Sequence, residues 1–324
     1  MPVISDAKIT LGYKDAEGKK LLKNLSGVAA VGDFLWTVSD EGRMLECLKR
    51  SADGYVLKEQ FQIDQVFDGI PGTETNDELD LESIDIAGDA LWLAGSHCRV
   101  RVKPLNDGAP DAAVEPNSSI IARPSRTLFG KIQLKEGGGA LGAARALPFA
   151  DGPGSLRAHL AENDFLKPFL SLPSKENGLD IEGVAVINGA AYLGLRGPLI
   201  DSFAVAVEVL FDDGFQIREC ILHFIDLEGL GIRDLARDGT DVLLIAGPVS
   251  DALGPFKLFR WKPQRTAAVQ TAKLVFPWPS GKEKPEGLCV TKRGVERGAI
   301  ILYDSPSKSR IVGKEYSADW LPLP

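Results

Sequence analysis

The chain has 324 residues, 44% hydrophobic and 25% charged, with 34 glycines, 20 prolines and a formal net charge of −8. That length suits one repeat-built domain or two ordinary ones, and the composition excludes long disorder. The negative charge excludes non-specific binding to a phosphate backbone, and no run approaches the roughly 18 apolar residues of a membrane helix, so neither nucleic acid nor membrane is expected as a partner.

The first residues, Met1 to Lys8, show no basic stretch leading into an apolar one, so no secretory signal is expected and the expected compartment is the cytoplasm. Ala7 to Tyr13 reads as a strand. A unit then begins at Ser26-Gly27 and runs through Gly32-Asp33 to Ser39-Asp40, two short apolar runs around a turn. It aligns without a gap with Glu82 to Ser96. Further copies begin at Glu182-Gly183, at Arg233-Asp234 and at Glu286-Gly287, the last returning through Ala299 to Asp304. Asx-Gly and Gly-Asp pairs between the runs supply the positive φ that tight hairpins need. Both faces of each run are apolar, as for a sheet packed between two neighbours.

The copies start at residues 26, 82, 182, 233 and 286, in steps of 56, 100, 51 and 53. The long step implies a degenerate unit starting near residue 128, with strands drawn from Ser118 to Leu134 and a short helical insertion near 154–168, where Ser155 precedes Leu156 and Leu160. The fold predicted is therefore all-β: a single β-propeller over residues 1–324, with six blades. The last unit is short, and the N-terminal strand is expected to complete its blade and remove an exposed edge.

In such a ring the first strand of each unit lines the channel, and the second returns to the same face. Ser26, Glu82, Glu182, Arg233 and Glu286 converge there, joined by Asp40 with Glu41, Ser96 with His97, Arg196, and Asp304. The copies agree in their apolar runs and differ at these ends, which marks this face as functional. Three acids aimed at one axis repel each other. A hard cation such as Ca²⁺ or Mg²⁺, pairing with Arg196 and Arg233, or hydration of a wide channel each offsets that repulsion. Arg196, between Gly194 and Pro198, is a fixed guanidinium suited to an anion. His97 is read either as a general base or metal ligand, or as a hydrogen-bonded turn residue. The acidic segment Phe67 to Asp80 rises over the same face as a lid or as a solvated charge run. Cys47, Cys98, Cys220 and Cys289 lack metal-ligand spacing and read as free thiols. No phosphate-binding loop and no dinucleotide fingerprint occurs, so no nucleotide cofactor is expected.

Together, Ser39-Asp40-Glu41-Gly42, Gly95-Ser96-His97, Asp180-Ile181-Glu182-Gly183 and Gly194-Leu195-Arg196-Gly197-Pro198 resemble the bacterial family of domain of unknown function 3616. The resemblance implies a propeller-like all-β fold and brings no established activity. More distantly, the Glu-Gly strand starts are similar to phytase-like and gluconolactonase-like propellers, which implies a divalent cation in the channel and hydrolysis of a phosphoester or lactone. The chain departs from those families at Ser26 and Arg233, where an acid is expected.

Two readings follow. In one, the face binds a small anionic ligand or a protein partner without catalysis. In the other, the protein is a divalent-metal-assisted hydrolase of the phosphoester or lactone class. Glu82, Glu182, Glu286 and Asp304 are then the metal ligands, Arg196, Arg233, Asp40 and Ser96 hold the substrate, and His97 or Glu41 moves protons.

Overall fold

The computed structural model describes residues 4, 8–14, 16, 21–75, 77–102, 117–279, 281 and 283–323. Strand β1 (Ile9–Gly12) comes first and joins a blade formed much later in the chain. Blade 1 is the antiparallel meander β2 (Leu25–Val31), β3 (Phe34–Ser39), β4 (Met44–Arg50) and β5 (Gly54–Gln62), followed by one turn of helix, α1 (Ile63–Val66). Blade 2 opens with β6 (Leu81–Ala87) and β7 (Ala90–Gly95). A side ribbon, β8 (Arg99–Arg101) with β9 (Ile120–Ala122), interrupts it before β10 (Phe129–Lys135) and β11 (Ala140–Ala146) finish the sheet.

Helix α2 (Leu156–Ala161) follows, capped by the Ser155 hydroxyl, which accepts from the Ala158 amide at 3.1 Å. It is the short helical insertion expected near 154–168. Blade 3 is β12 (Asp180–Ile187), β13 (Ala190–Gly197), β14 (Ala204–Phe211) and β15 (Ile217–Asp226). Blade 4 takes β16 (Gly231–Asp238), β17 (Asp241–Gly247) and β18 (Lys257–Trp261). The short β19 (Gln270–Thr271) then crosses to the edge of blade 3, and β20 (Lys273–Pro277) completes blade 4. Blade 5 is β21 (Lys284–Arg293), β22 (Glu296–Asp304) and β24 (Glu315–Pro322), with β23 (Ile311–Val312) pairing on β24. Its outer strand is β1, antiparallel to β24 and also parallel to β5, so the first and last blades are stitched together.

The turns obey the sequence logic: Asn188 and Gly189 both have positive φ, 51° and 82°, in the two-residue hairpin of blade 3. Inner strands β2, β6, β12, β16 and β21 each pack on the next, and β21 packs on β2, which closes the ring. Five apolar clusters fill the five gaps between adjacent blades. One of them packs Trp92 and Phe129 of blade 2 against Leu193 and Val207 of blade 3.

The all-β propeller with N-terminal closure is therefore what forms, but among the described residues its ring has five blades and not six. The unit expected near residue 128 is not a blade of its own. Phe129 to Ala146 pairs onto β7 and supplies the two outer strands of blade 2. The 100-residue step reflects insertions, namely the side ribbon and the helical segment, and not a hidden repeat. Among the described residues, no helix is long and apolar enough to cross a membrane.

Candidate functional site

One backbone device places the site. In every inner hairpin the register slips at the same point. Leu25 pairs with Ser39 and Gly27 with Val38, leaving Ser26 without a partner. Glu82 is skipped between Leu81 and Ser83, Glu182 between Ile181 and Gly183, and Arg233 between Ile232 and Asp234. In blade 5 the slip spans Glu286 and Gly287. A bulge turns its extra residue out of the alternation of the strand. Here five bulges deliver five side chains to the rim of the same channel.

Three of those side chains meet. Glu82, Glu182 and Glu286 are buried, and each brings a carboxylate oxygen to within 4.8 Å of the others. Arg196, from the end of β13, pairs with Asp180 and, at 2.9 Å, with Glu182. Arg233 pairs with Glu286 and, at 3.2 Å, with Glu182. Ser26 adds no charge; its hydroxyl donates to the Leu81 carbonyl.

Burial, and then the neighbouring Glu182, Asp80 and Glu286, hold the Glu82 carboxyl well above the usual carboxylate range. Burial likewise raises Glu286, against the pull of Arg233. Asp180 is pushed up to about 7 by burial, which outweighs Arg196. Burial disfavours charge on Arg196, yet Asp180 and Glu182 keep it firmly protonated. Four carboxyls therefore face two guanidiniums in the ring, and protons or a cation make up the difference.

The ring forms the bottom of a funnel of about 610 Å³. Asp40, Glu41, Asp304 and Lys284 line it from blades 1 and 5, and Glu78, Asp80 and Arg126 from blade 2. Asp40 is half-buried, and burial, then Asp80 and Asp304, push its pKa up to about 7. Asp304 stands 3.6 Å from Lys284 and outside the three-glutamate cluster. Below the ring the channel is plugged. The Ser83 hydroxyl donates to Asp234 at 2.7 Å across the axis, and the Leu288 amide donates to the same carboxylate at 2.6 Å.

Ser96 and His97 stand behind the funnel wall. The Ser96 hydroxyl donates to Asp80 and so orients that carboxylate. His97, with φ 56°, is not among the residues that line the funnel. Its ring is buried with neither nitrogen hydrogen-bonded among the described residues, and burial lowers its pKa to about 3. Arg196 and Arg233 are at the rim, each already bound to two carboxylates. The acidic segment ends in the funnel: Glu78 and Asp80 line it, both paired with Arg126, Asp80 at 2.6 Å.

Asp80, Asp180 and Arg126 were not singled out by the repeat. Asp180 lies two residues before the bulged Glu182, Asp80 directly precedes β6 with φ 51°, and Arg126 belongs to the long connection inside blade 2. The Asp180-Ile181-Glu182 alternation was the available signal for the first of these. The four cysteines are free thiols, and burial pushes Cys98, at the funnel wall, up to about 12.

The chain belongs to the family described as protein of unknown function (DUF3616), whose model matches residues 24–319. No curated protein sequence matches it. An exo-β-1,3-galactanase from Clostridium thermocellum has a similar fold, with TM-score 0.50 and 10% identity over 99% of this chain and 62% of that one. A galactose-bound exo-β-1,3-galactanase from Phanerochaete chrysosporium gives TM-score 0.47 and 12% identity over 100% of this chain and 65% of that one. Glutaminyl cyclase from Myxococcus xanthus gives 0.46 and 8% identity, covering 98% of both chains. The chain thus spans 62 to 65% of the length of the galactanases it matches, and at these identities the likeness is one of fold alone.

Proposed function

We propose that the channel mouth holds one divalent cation, Ca²⁺ or Mg²⁺, between Glu82, Glu182 and Glu286, and uses it to hydrolyse a small oxygen-rich molecule. The observation that carries this reading is the convergence of three buried carboxylates within 4.8 Å. With all groups ionised, the four ring carboxyls exceed the two guanidiniums by two charges, the charge of one such cation. Oxygen-only ligands on several strands suit a hard ion.

Held by Glu82, Glu182 and Glu286, such an ion would supply Lewis-acid chemistry for hydrolysis of an acyl or phosphoryl group. The chain supplies the rest. Arg196 and Arg233 hold the glutamates in place, and Ser96 and Arg126 fix Asp80. Asp40, titrating near 7, is poised to take and return a proton at neutral pH, with Glu41 beside it on the wall. The lining favours a neutral lactone over a phosphoester, because a phosphate would enter a funnel with more acids than bases. A free anion held by Arg196 and Arg233 alone is the weaker reading, since both are already paired.

Calorimetric titration of chelator-treated protein with Ca²⁺ and Mg²⁺ tests the site. One ion per chain is expected, stabilising the fold by ~2.7 kcal/mol at a hundredfold excess over Kd. Glu182→Gln is expected to abolish that binding. If neither ion binds and chelation leaves the melting temperature unchanged, the reading fails. Lactone and phosphoester turnover by the metal-loaded protein then tests hydrolysis separately.

A further inference from the structure

A second cavity, of about 230 Å³, lies at the seam where blade 5 closes on blade 1. It is at the far end of the molecule from the funnel. Thr291 to Arg293, the last residues of β21, line it, whereas Glu286 near the start of that strand faces the funnel. The turn between β4 and β5 forms the opposite wall. Tyr55, Ile300 and Trp320 make a buried, well-packed floor.

The charge of this cavity is opposite to that of the protein. Lys8, Arg50, Lys292 and Arg293 line it with a single acid, Asp53, in a chain of net charge −8. Their positive charge is largely unspent. Lys8 reaches Asp319 at 2.6 Å, but that carboxylate also receives Arg310 at 2.8 Å and the Tyr303 hydroxyl at 2.6 Å. Arg50 lies over the Tyr55 ring at 5.0 Å, and its ion-pair partner among the described residues is the exposed Asp33, at 3.3 Å. Lys292 and Arg293 are exposed and make no ion pair among the described residues.

We infer that this seam cavity is a binding site for a phosphate-bearing anion. Cations from three separate segments, the N-terminal strand, blade 1 and blade 5, surround a space large enough for a phosphate group with a small organic substituent. A compact dianion there offsets their mutual repulsion, and the aromatic floor lowers the local dielectric and strengthens the attraction. Because the three segments are those that close the ring, occupancy tightens closure. The site is independent of the cation proposed for the funnel.

The test uses the full chain in chelator, so that no metal can recruit phosphate to the funnel. Inorganic phosphate and a phosphomonoester are each compared with sodium chloride of equal ionic strength. The expected result is a melting temperature raised by ~2 °C or more with either phosphate probe. Lys292→Ala with Arg293→Ala, both exposed at the end of β21, is expected to remove that shift and weaken phosphate binding at least tenfold by titration (~1.4 kcal/mol or more). Lys292→Glu alone serves as a second variant with the same expectation. Tighter binding of the monoester than of inorganic phosphate identifies an organic phosphate seated on the Tyr55 and Trp320 floor; equal binding identifies phosphate itself. A shift no larger than that of chloride, or one that persists in both variants, overturns the assignment.

Discussion

Asp40 ends the first inner hairpin at the rim of the funnel, with its pKa raised to about 7 by burial and then by Asp80 and Asp304. Asp180 is raised to about 7 by burial as well. A carboxyl raised in the fold holds a proton that the unfolded chain has released. The stability these two carboxyls contribute is therefore fully present below about pH 4 and is lost as the pH rises through 7. In chelator, the urea midpoint is expected to be higher at pH 5 than at pH 8, and Asp40→Asn is expected to shrink that difference. Identical pH dependence in the two proteins would count against the raised carboxyl. Protons and a divalent cation compete for the ring, so cation affinity rises over the same window, and Ca²⁺ restores at pH 8 what deprotonation removes. At Glu182, which touches both Arg196 and Arg233, Glu182→Gln takes one of two carboxylate partners from each guanidinium while Asp180 and Glu286 stay paired, and is expected to cost ~1–3 kcal/mol in urea unfolding of the metal-free protein. These ring positions were legible because the repeat puts them in register. Asp80 and Arg126 were not, since they lie in connections that no other blade copies. For His97 the sequence leaves open a general base or metal ligand and a turn residue; the structure buries it outside the funnel lining with a positive φ, which the sequence does not show.

The inner hairpin explains why ring residues are followed by glycine in three of the five units. A Cβ at Gly183 would lie 2.7 Å from the Leu235 amide nitrogen, and one at Gly27 3.1 Å from the Ser83 Cα. The inner strands approach so closely that only glycine fits between them. The other two units carry Ser83 and Asp234 at this level, and these two side chains bond to each other through the space the glycines leave. Gly183→Ala must push β12 and β16 apart, at an expected cost of ~1–3 kcal/mol in urea unfolding. Because Glu182 is the preceding residue, cation affinity is expected to fall with it; a stability loss with affinity unchanged would separate the floor from the ring. The Glu-Gly pairs were readable, but their spatial reason was not. The blade count failed for a related reason. Sequence spacing counts residues, whereas a blade is defined by pairing, and Phe129 to Ala146 could be assigned to blade 2 only by its register on β7.

Ring closure is a property of the whole molecule, and the sequence signalled it through the shortness of its last unit. β1 occupies the outer position of blade 5 against β24 while also pairing in parallel with β5, so one four-residue strand covers two edges. Leu11 and Tyr13 are fully buried there, each contributing about 1.5–3 kcal/mol by burial. Removing residues 1–14 is expected to lower the melting temperature sharply and to promote association, because β24 and β5 would both present unpaired backbone. Since β1 is held by pairing and packing and not by chain connectivity, a peptide of residues 8–16 added in trans should bind the truncated protein and recover most of the lost stability. Failure of that peptide to bind an otherwise folded truncated protein would mean that the five blades hold their ring without the strap, and that closure rests on the inner strands alone. Lys8 enters the seam cavity from this same segment, so the truncated protein should also bind phosphate more weakly until the peptide is restored.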